Sequence, residues 1–206
     1  MKNIKVKITF TDSILGSQPG DPEIHERFIA SKAPDATSRE DEIASMGVEE
    51  FVERQMTYFY RTKDGKPCIK DYQIRGFFKA AAGAVNNMTD NTLKKLTAFK
   101  KKVDTLVFVR GLDGSRDIPF VLPEGGELTV TALQRPLRAQ TMQGERVSLA
   151  NSEQLPAGCT AEFVVTVLDD SLMDYVRAWL DYGIYNGLGQ WRNSGHGSFT
   201  WEEIAE

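Results

Sequence analysis

Lys2-Asn3-Ile4-Lys5-Val6-Lys7-Ile8-Thr9-Phe10 alternates apolar and polar side chains without a break. Ile4, Val6, Ile8 and Phe10 fall on one face and Lys5, Lys7 and Thr9 on the other, the period-two signature of a strand buried on one side only. A second stretch with this alternation, residues 160–168, stands far along the chain. What lies between and after these two strands decides the fold class.

Working outward, residues 12–22 are rich in Gly, Pro, Ser and Asp, which favour turns through their backbone preferences. A helix is predicted over 21–31, with Asp21 as N-cap, Pro22 at the first position and Ile24, Phe28 and Ile29 on one side. A second helix is predicted over 38–60, opened by Ser38 and marked by Ile43, Met46, Phe51, Met56 and Tyr60. After the turn Asp64-Gly65-Lys66-Pro67, residues 74–86 read as a helix that packs through Phe77, Phe78, Ala81 and Val85. Residues 92–99 read as a short, Lys-laden extension of that region.

From Val103 the period changes again. Strands are predicted over 105–109, 118–122, 127–135 and 160–168, punctuated by Gly111, Asp113-Gly114, Pro123 and Gly125-Gly126. The polar stretch 136–159 reads as a hairpin or a long binding loop. A helix capped by Asp170 or Ser171 carries Leu172, Val176, Trp179, Leu180 and Gly183 on one stripe, and the chain ends in a glycine loop and a strand over 198–201. Strand, helices, strands, helix, strand predicts an α+β fold: an antiparallel sheet with helices on one face, a ferredoxin-like core, and a helical insertion over 11–63.

The chain has 206 residues, 41% of them apolar, which suits one domain over 1–206 with a real core. No stretch approaches the roughly 18 apolar residues of a membrane span, and the N-terminus alternates where a secretion signal would be continuous. A cytoplasmic protein without membrane contact is expected. Cys68 and Cys159 make neither a disulfide framework nor a zinc-ligand pattern, and they read as core thiols. The net charge of −4 is unevenly spread: residues 67–150 carry 13 basic and 8 acidic side chains, and residues 151–206 carry 2 and 9. Nonspecific attraction to a polyanion is thereby excluded, and a nucleic-acid role has to rest on a local basic groove.

Three stretches supply candidate contacts. Gly187-Leu188-Gly189-Gln190-Trp191-Arg192-Asn193-Ser194-Gly195-His196-Gly197 holds four glycines among phosphate-binding side chains. Such a loop permits close approach to backbone N–H groups, while Arg192, Asn193, Ser194 and His196 supply donors. It follows a helix and precedes a strand, the reverse of a dinucleotide-binding turn, and it lacks the P-loop Lys-Ser/Thr pair. Arg75 and Lys79 share one face near a helix start. Arg135, Arg138 and Arg146 lie in the polar stretch, where exposed arginines suit a single strand's backbone.

These residues resemble a family, the RAMP superfamily of repeat-associated proteins that form the backbone of CRISPR effector complexes, and within it the type III backbone subunits. Residues 67–79 look like its Pro-x-Ile-Pro-Gly-Ser-Ser-Leu-Lys-Gly element, with Ile74-Arg75-Gly76 in place of Leu-Lys-Gly. Glu153-Gln154-Leu155-Pro156-Ala157-Gly158 is similar to its Glu-x-Val-Pro-Ala-Gly segment, and residues 187–199 to its glycine-rich loop. Together they span 67–201. The resemblance implies an RRM-like ferredoxin core whose glycine loop and positive groove hold RNA, and subunits that stack. It carries basic contacts onto Arg75, Lys79 and Arg192 and suggests a protruding hairpin bearing Arg135, Arg138 and Arg146. Two departures stand out. Lys70-Asp71-Tyr72-Gln73 puts an acid and a bulky phenol where the family's small residues border RNA. The position of the aspartate used by RNA-cutting members falls near Gln55, so cleavage is not carried over.

The expected function is that of a noncatalytic subunit binding RNA or another single-stranded nucleic acid in a ribonucleoprotein, partnered by RAMP-like subunits or its own copies. No metal or cofactor is expected. Two alternatives are a self-assembling or protein-binding module of the same fold without nucleic acid, and a metal-independent RNA endonuclease using His196. Trp179 reads as core; Trp191, in the glycine loop, reads as a base-stacking or interface residue.

Overall fold

The computed structural model describes residues 1–19, 56–88, 93–122, 129–141 and 144–204, with the backbone alone over 136–149. Its strands are β1 (Lys2–Phe10), β2 (Ile14–Leu15), β3 (Gln18–Pro19), β4 (Thr57–Tyr58), β5 (Tyr60–Arg61), β6 (Pro67–Lys70), β7 (Val107–Gly111), β8 (Asp117–Val121), β9 (Thr131–Thr141), β10 (Gly144–Leu155), β11 (Thr160–Val167) and β12 (Phe199–Glu203). The α-helices among the described residues are α1 (Asp71–Val85), α2 (Phe99–Leu106) and α3 (Met173–Asp181). The fold is α+β with antiparallel sheets. The chain divides into two compact units, one of Met1–Leu15, Tyr60–Thr129 and Leu155–Glu206, the other of Gly16–Phe59 and Val130–Gln154.

The first unit is built on a sheet of order β12-β1-β11-β8-β6-β5, with β7 also paired to β11. β1 runs antiparallel to both neighbours, in registers from Lys2 opposite Val167 to Phe10 opposite Phe199. Its alternation does what the sequence predicts: Ile4, Val6, Ile8 and Phe10 are buried.

Against the sheet lies α1, whose Ile74, Phe77, Phe78, Ala81, Ala82 and Val85 form one buried stripe at helical spacing. The helix begins where Gln73 Oε1 accepts from the Lys70 N–H at 2.9 Å, which ties the first turn to the strand before it. At the other end the Asn86 amide donates to the Leu96 carbonyl and accepts from the Leu96 N–H, both at 2.9 Å. Phe77 meets Phe199 with ring centroids 5.2 Å apart, and Phe78 meets Trp179 of α3 at 5.8 Å. Each such ring contributes about 2 kcal/mol by leaving water. Trp179, 1% exposed, is core as expected.

In the second unit β10 lies between β9, antiparallel, and β4, parallel through Ser152 opposite Thr57, and β3 pairs with β4. Among its described residues, Arg135, Asn151, Ser152 and Glu153 are buried, as is Phe59. Ser152 is fully buried and its Oγ accepts from Thr57 Oγ1 at 2.7 Å, while Glu153 Oε2 accepts from the Phe59 N–H at 2.7 Å.

Several expectations are corrected. The helix over 21–31 lies outside the described residues, as does most of that over 38–60. The described end of the latter is strand, because Thr57-Tyr58-Phe59-Tyr60 is β-branched and aromatic and suits a pleated surface. Residues 99–106 are helix where the extension was expected to end and a strand to begin at 105. Phe99, Val103 and Leu106 share one helical face, and Thr105 Oγ1 donates to the Lys101 carbonyl one turn back at 2.8 Å.

Cys68 and Cys159 are free and buried. Burial pushes their thiols up to about 11 and about 12. Both are expected to resist a soluble disulfide reagent at pH 8 and to react at once in denaturant, since the thiolate is the nucleophile. The folded thiols hold their protons above the ordinary range, so their contribution to stability is complete below about pH 9 and is lost as pH rises toward 11 and 12.

Candidate nucleic-acid interface

The glycine-rich segment closes on itself between α3 and β12, and its base is sealed. The Leu188 N–H donates to the Gly197 carbonyl, and the Gly197 N–H to the Ser13 carbonyl, each at 2.9 Å. A Cβ on Gly187 would stand 1.7 Å from the Gly197 oxygen, and one on Gly197 would stand 1.8 Å from the Leu188 oxygen. Both glycines are buried contacts of backbone on backbone, a packing role in place of the expected ligand-facing one. Gly189, at φ +82, is held the same way against the Leu15 carbonyl, 2.6 Å from where its Cβ would be.

The tip is different. Arg192–Ser194 forms a 3-10 turn between Trp191 at φ 55 and Gly195 at φ 89, closed by the Ser194 N–H on the Trp191 carbonyl at 3.0 Å. Arg192, Asn193 and Ser194 are exposed. The Trp191 ring stacks on His196 with centroids 5.0 Å apart and planes 20° from parallel. His196 Nδ1 lies 2.9 Å from Ser13 Oγ and 3.9 Å from Asp12 Oδ1. A tryptophan in the left-handed region is costly unless its surroundings hold it, and here the stack on His196 accompanies that backbone. Asp12 and Ser13 are neighbours of His196 that no local pattern reveals, Ser13 lying 183 residues away in sequence.

On α1 the two expected cations diverge. Lys79 Nζ pairs with Asp104 Oδ1 of α2 at 2.6 Å. Arg75 has no carboxylate partner among the described residues, and its Nε is buried without an acceptor. The acid of the departing motif is neutralised within the fold: Asp71, 4% exposed, takes Arg110 Nη1 of β7 at 2.5 Å and the Tyr72 N–H at 2.8 Å. Lys70 Nζ meets Asp117 Oδ1 at 2.5 Å, and this hydrogen bond pushes the ammonium pKa upward.

The arginines of the polar stretch belong to the second unit. Arg135 is 4% exposed and donates from Nη1 to Ser152 Oγ at 3.1 Å, and burial lowers its pKa. That buried guanidinium corrects the expectation of an exposed contact. Arg138 and Arg146 stand opposite Val147 and Ala139 in the β9–β10 register. Arg75, Lys79 and the loop tip belong to the first unit. Among the described residues, no group of three or more His, Cys, Asp or Glu side chains is placed to hold a metal ion, and no helix is long and apolar enough to cross a membrane.

No protein-family model matches the chain, and no curated protein matches it. The fold is one found in a chain of a CRISPR effector complex. It is similar to a chain of the type III-B Cmr-beta complex bound to cognate target RNA, at a TM-score of 0.51 and 8% identity, over 98% of this chain and 58% of that one. The chain thus spans little more than half the length of that neighbour. Cmr6 from Pyrococcus furiosus aligns at a TM-score of 0.46 and 8% identity over 99% of this chain and 98% of that one. A chain of a type IV-B CRISPR complex aligns at 0.45 and 14% over 99% and 91%. At 8% identity the likeness to the Cmr-beta chain is one of fold.

Proposed function

We propose that the protein is a noncatalytic, RNA-binding subunit of a CRISPR-type ribonucleoprotein, partnered by RAMP-like subunits or its own copies. The observation that carries this reading is the contrast within the glycine loop, whose base is locked while its tip holds Arg192, Asn193 and Ser194 in the open. A loop whose base is tied by backbone hydrogen bonds has less ordering cost left to meet when its exposed donors take a phosphate chain. The likeness to a chain of a complex bound to target RNA supports the same partner. The strand order β12-β1-β11-β7, with α1 preceding β7 and α3 following β11, supports a ferredoxin-like core. Residues 11–63 and 136–159 are read as attachments to one RAMP-like domain over 1–206. His196 is read as structural, since Ser13 engages its Nδ1 and Trp191 covers its ring.

Native mass spectrometry after mild purification tests the proposal. The expected result is a subunit, or a stack of them, carrying RNA that ribonuclease removes. Protein of bare subunit mass that takes up no added single-stranded RNA overturns it.

A further inference from the structure

The first turns of α1 present a combination that packing does not explain. Gly76 is exposed in the sixth position of this 15-residue helix, and a Cβ there would meet nothing within 4 Å. Glycine is a poor residue for a helix interior, and among the described residues no close approach requires it. Its absence of a side chain leaves the helix backbone bare at that point.

One turn earlier Tyr72 is 49% exposed. Its hydroxyl donates to Tyr60 Oη at 2.7 Å, and the two rings stand edge to face, 6.3 Å apart with planes at 83°. Lys70 Nζ lies over the Tyr60 ring, 5.2 Å from its centroid. Pinned at its tip, Tyr72 is a surface aromatic with little rotamer freedom left to lose on binding. Arg75, three residues on, shares that face of the helix and lacks a carboxylate partner among the described residues.

We infer that Tyr72, Arg75 and Gly76 form a single-nucleotide site, in which a base stacks on the Tyr72 ring, Arg75 takes the adjoining phosphate, and the bare backbone at Gly76 lets the sugar-phosphate chain lie against the helix. The inference rests on the RNA-binding reading above and adds a base contact to it. Aromatic stacking accepts any base because every base has a π face, so this site grips without selecting sequence. The phenol of the Lys70-Asp71-Tyr72-Gln73 motif then becomes a contact in its own right.

The test measures binding of two fluorescein-labelled single strands of equal length, an oligoadenylate and an abasic ribose-phosphate chain. Wild-type protein is expected to prefer the oligoadenylate by about 10-fold, the scale of one stacked base. Tyr72→Ala is expected to lower that preference and Tyr72→Phe to keep it. Gly76→Leu is expected to weaken both strands about 10-fold while leaving the melting temperature unchanged or raised, because leucine is the better helix former. Equal wild-type affinity for the two strands, a preference undiminished by Tyr72→Ala, or unchanged binding by Gly76→Leu overturns the site while leaving the RNA-binding reading standing. Wild-type protein that binds neither strand overturns both.

Discussion

Gly197→Ala is expected to lower the melting temperature by roughly 10 °C or more, and Gly187→Ala to do the same. At each position the new Cβ would fall inside 2 Å of a carbonyl oxygen, on Gly197 in one case and Leu188 in the other. No rotamer relieves such an overlap, because the atom it meets is backbone. Gly197 adds the strain of an L side chain at φ +74. Separating the two strands of the loop also breaks the Leu188 and Gly197 hydrogen bonds that join it to itself and to Ser13. The combined cost is about 4 kcal/mol, at the upper end of single substitutions, and for a chain of this size each kcal/mol moves the midpoint by about 2–4 °C. Gly65→Ala supplies the comparison: φ is +77 there, yet a Cβ would meet nothing within 4 Å. Its cost is the backbone strain alone, about 1 kcal/mol. Calorimetry of the three variants separates overlap from strain, and equal shifts for all three would contradict the packed loop base.

Arg75→Ala combined with Arg192→Ala is expected to weaken single-stranded RNA binding by roughly 25-fold at 0.1 M salt without changing the melting temperature. Each phosphate neutralised on a single strand releases about 0.7 of a counterion, so removing two contacts flattens the plot of log affinity against log salt by about 1.4 and costs about that many decades at 0.1 M. Neither side chain holds a carboxylate among the described residues, so little folding energy is lost with them. The overall negative charge sharpens the expectation, since with a net −4 the remainder of the surface cannot compensate by nonspecific attraction. Lys79→Ala is expected to have a smaller effect, because Asp104 already occupies its ammonium. A salt titration by fluorescence anisotropy reads all three variants, and an unchanged slope in the double variant would remove both arginines from the interface.

Elements whose faces differ in polarity were legible from the residues. β1 and the buried stripe of α1 declare themselves because one side is apolar and the other is not, and the glycine loop was placed between helix and strand by its composition. The loop's architecture was not legible. Flexible-looking glycines turn out to be pinned by Ser13 and Leu15, and a contact across that much chain leaves no mark in a local window. Arg135 misled for a related reason: a guanidinium in a polar stretch looks solvated, yet it is buried and Ser152 receives it. The β9–β10 ribbon shows no clean alternation, so its pairing could not be read from its pattern. α2 was obscured by Lys100-Lys101-Lys102, which reads as surface until Val103 and Leu106 are placed on the face of Phe99. The acid at Asp71 looked hostile to a polyanion because its partner, Arg110, lies far along the chain on β7.

Ultraviolet crosslinking of a uridine-rich single strand to the intact protein, followed by peptide mass spectrometry, tests the central claim most directly. Crosslinked peptides are expected from the start of α1, at Tyr72, and from the loop tip, at Trp191, and both are expected to vanish at high salt. Crosslinks confined to β9 and β10, with none on α1 or residues 191–194, would place RNA elsewhere and contradict the account.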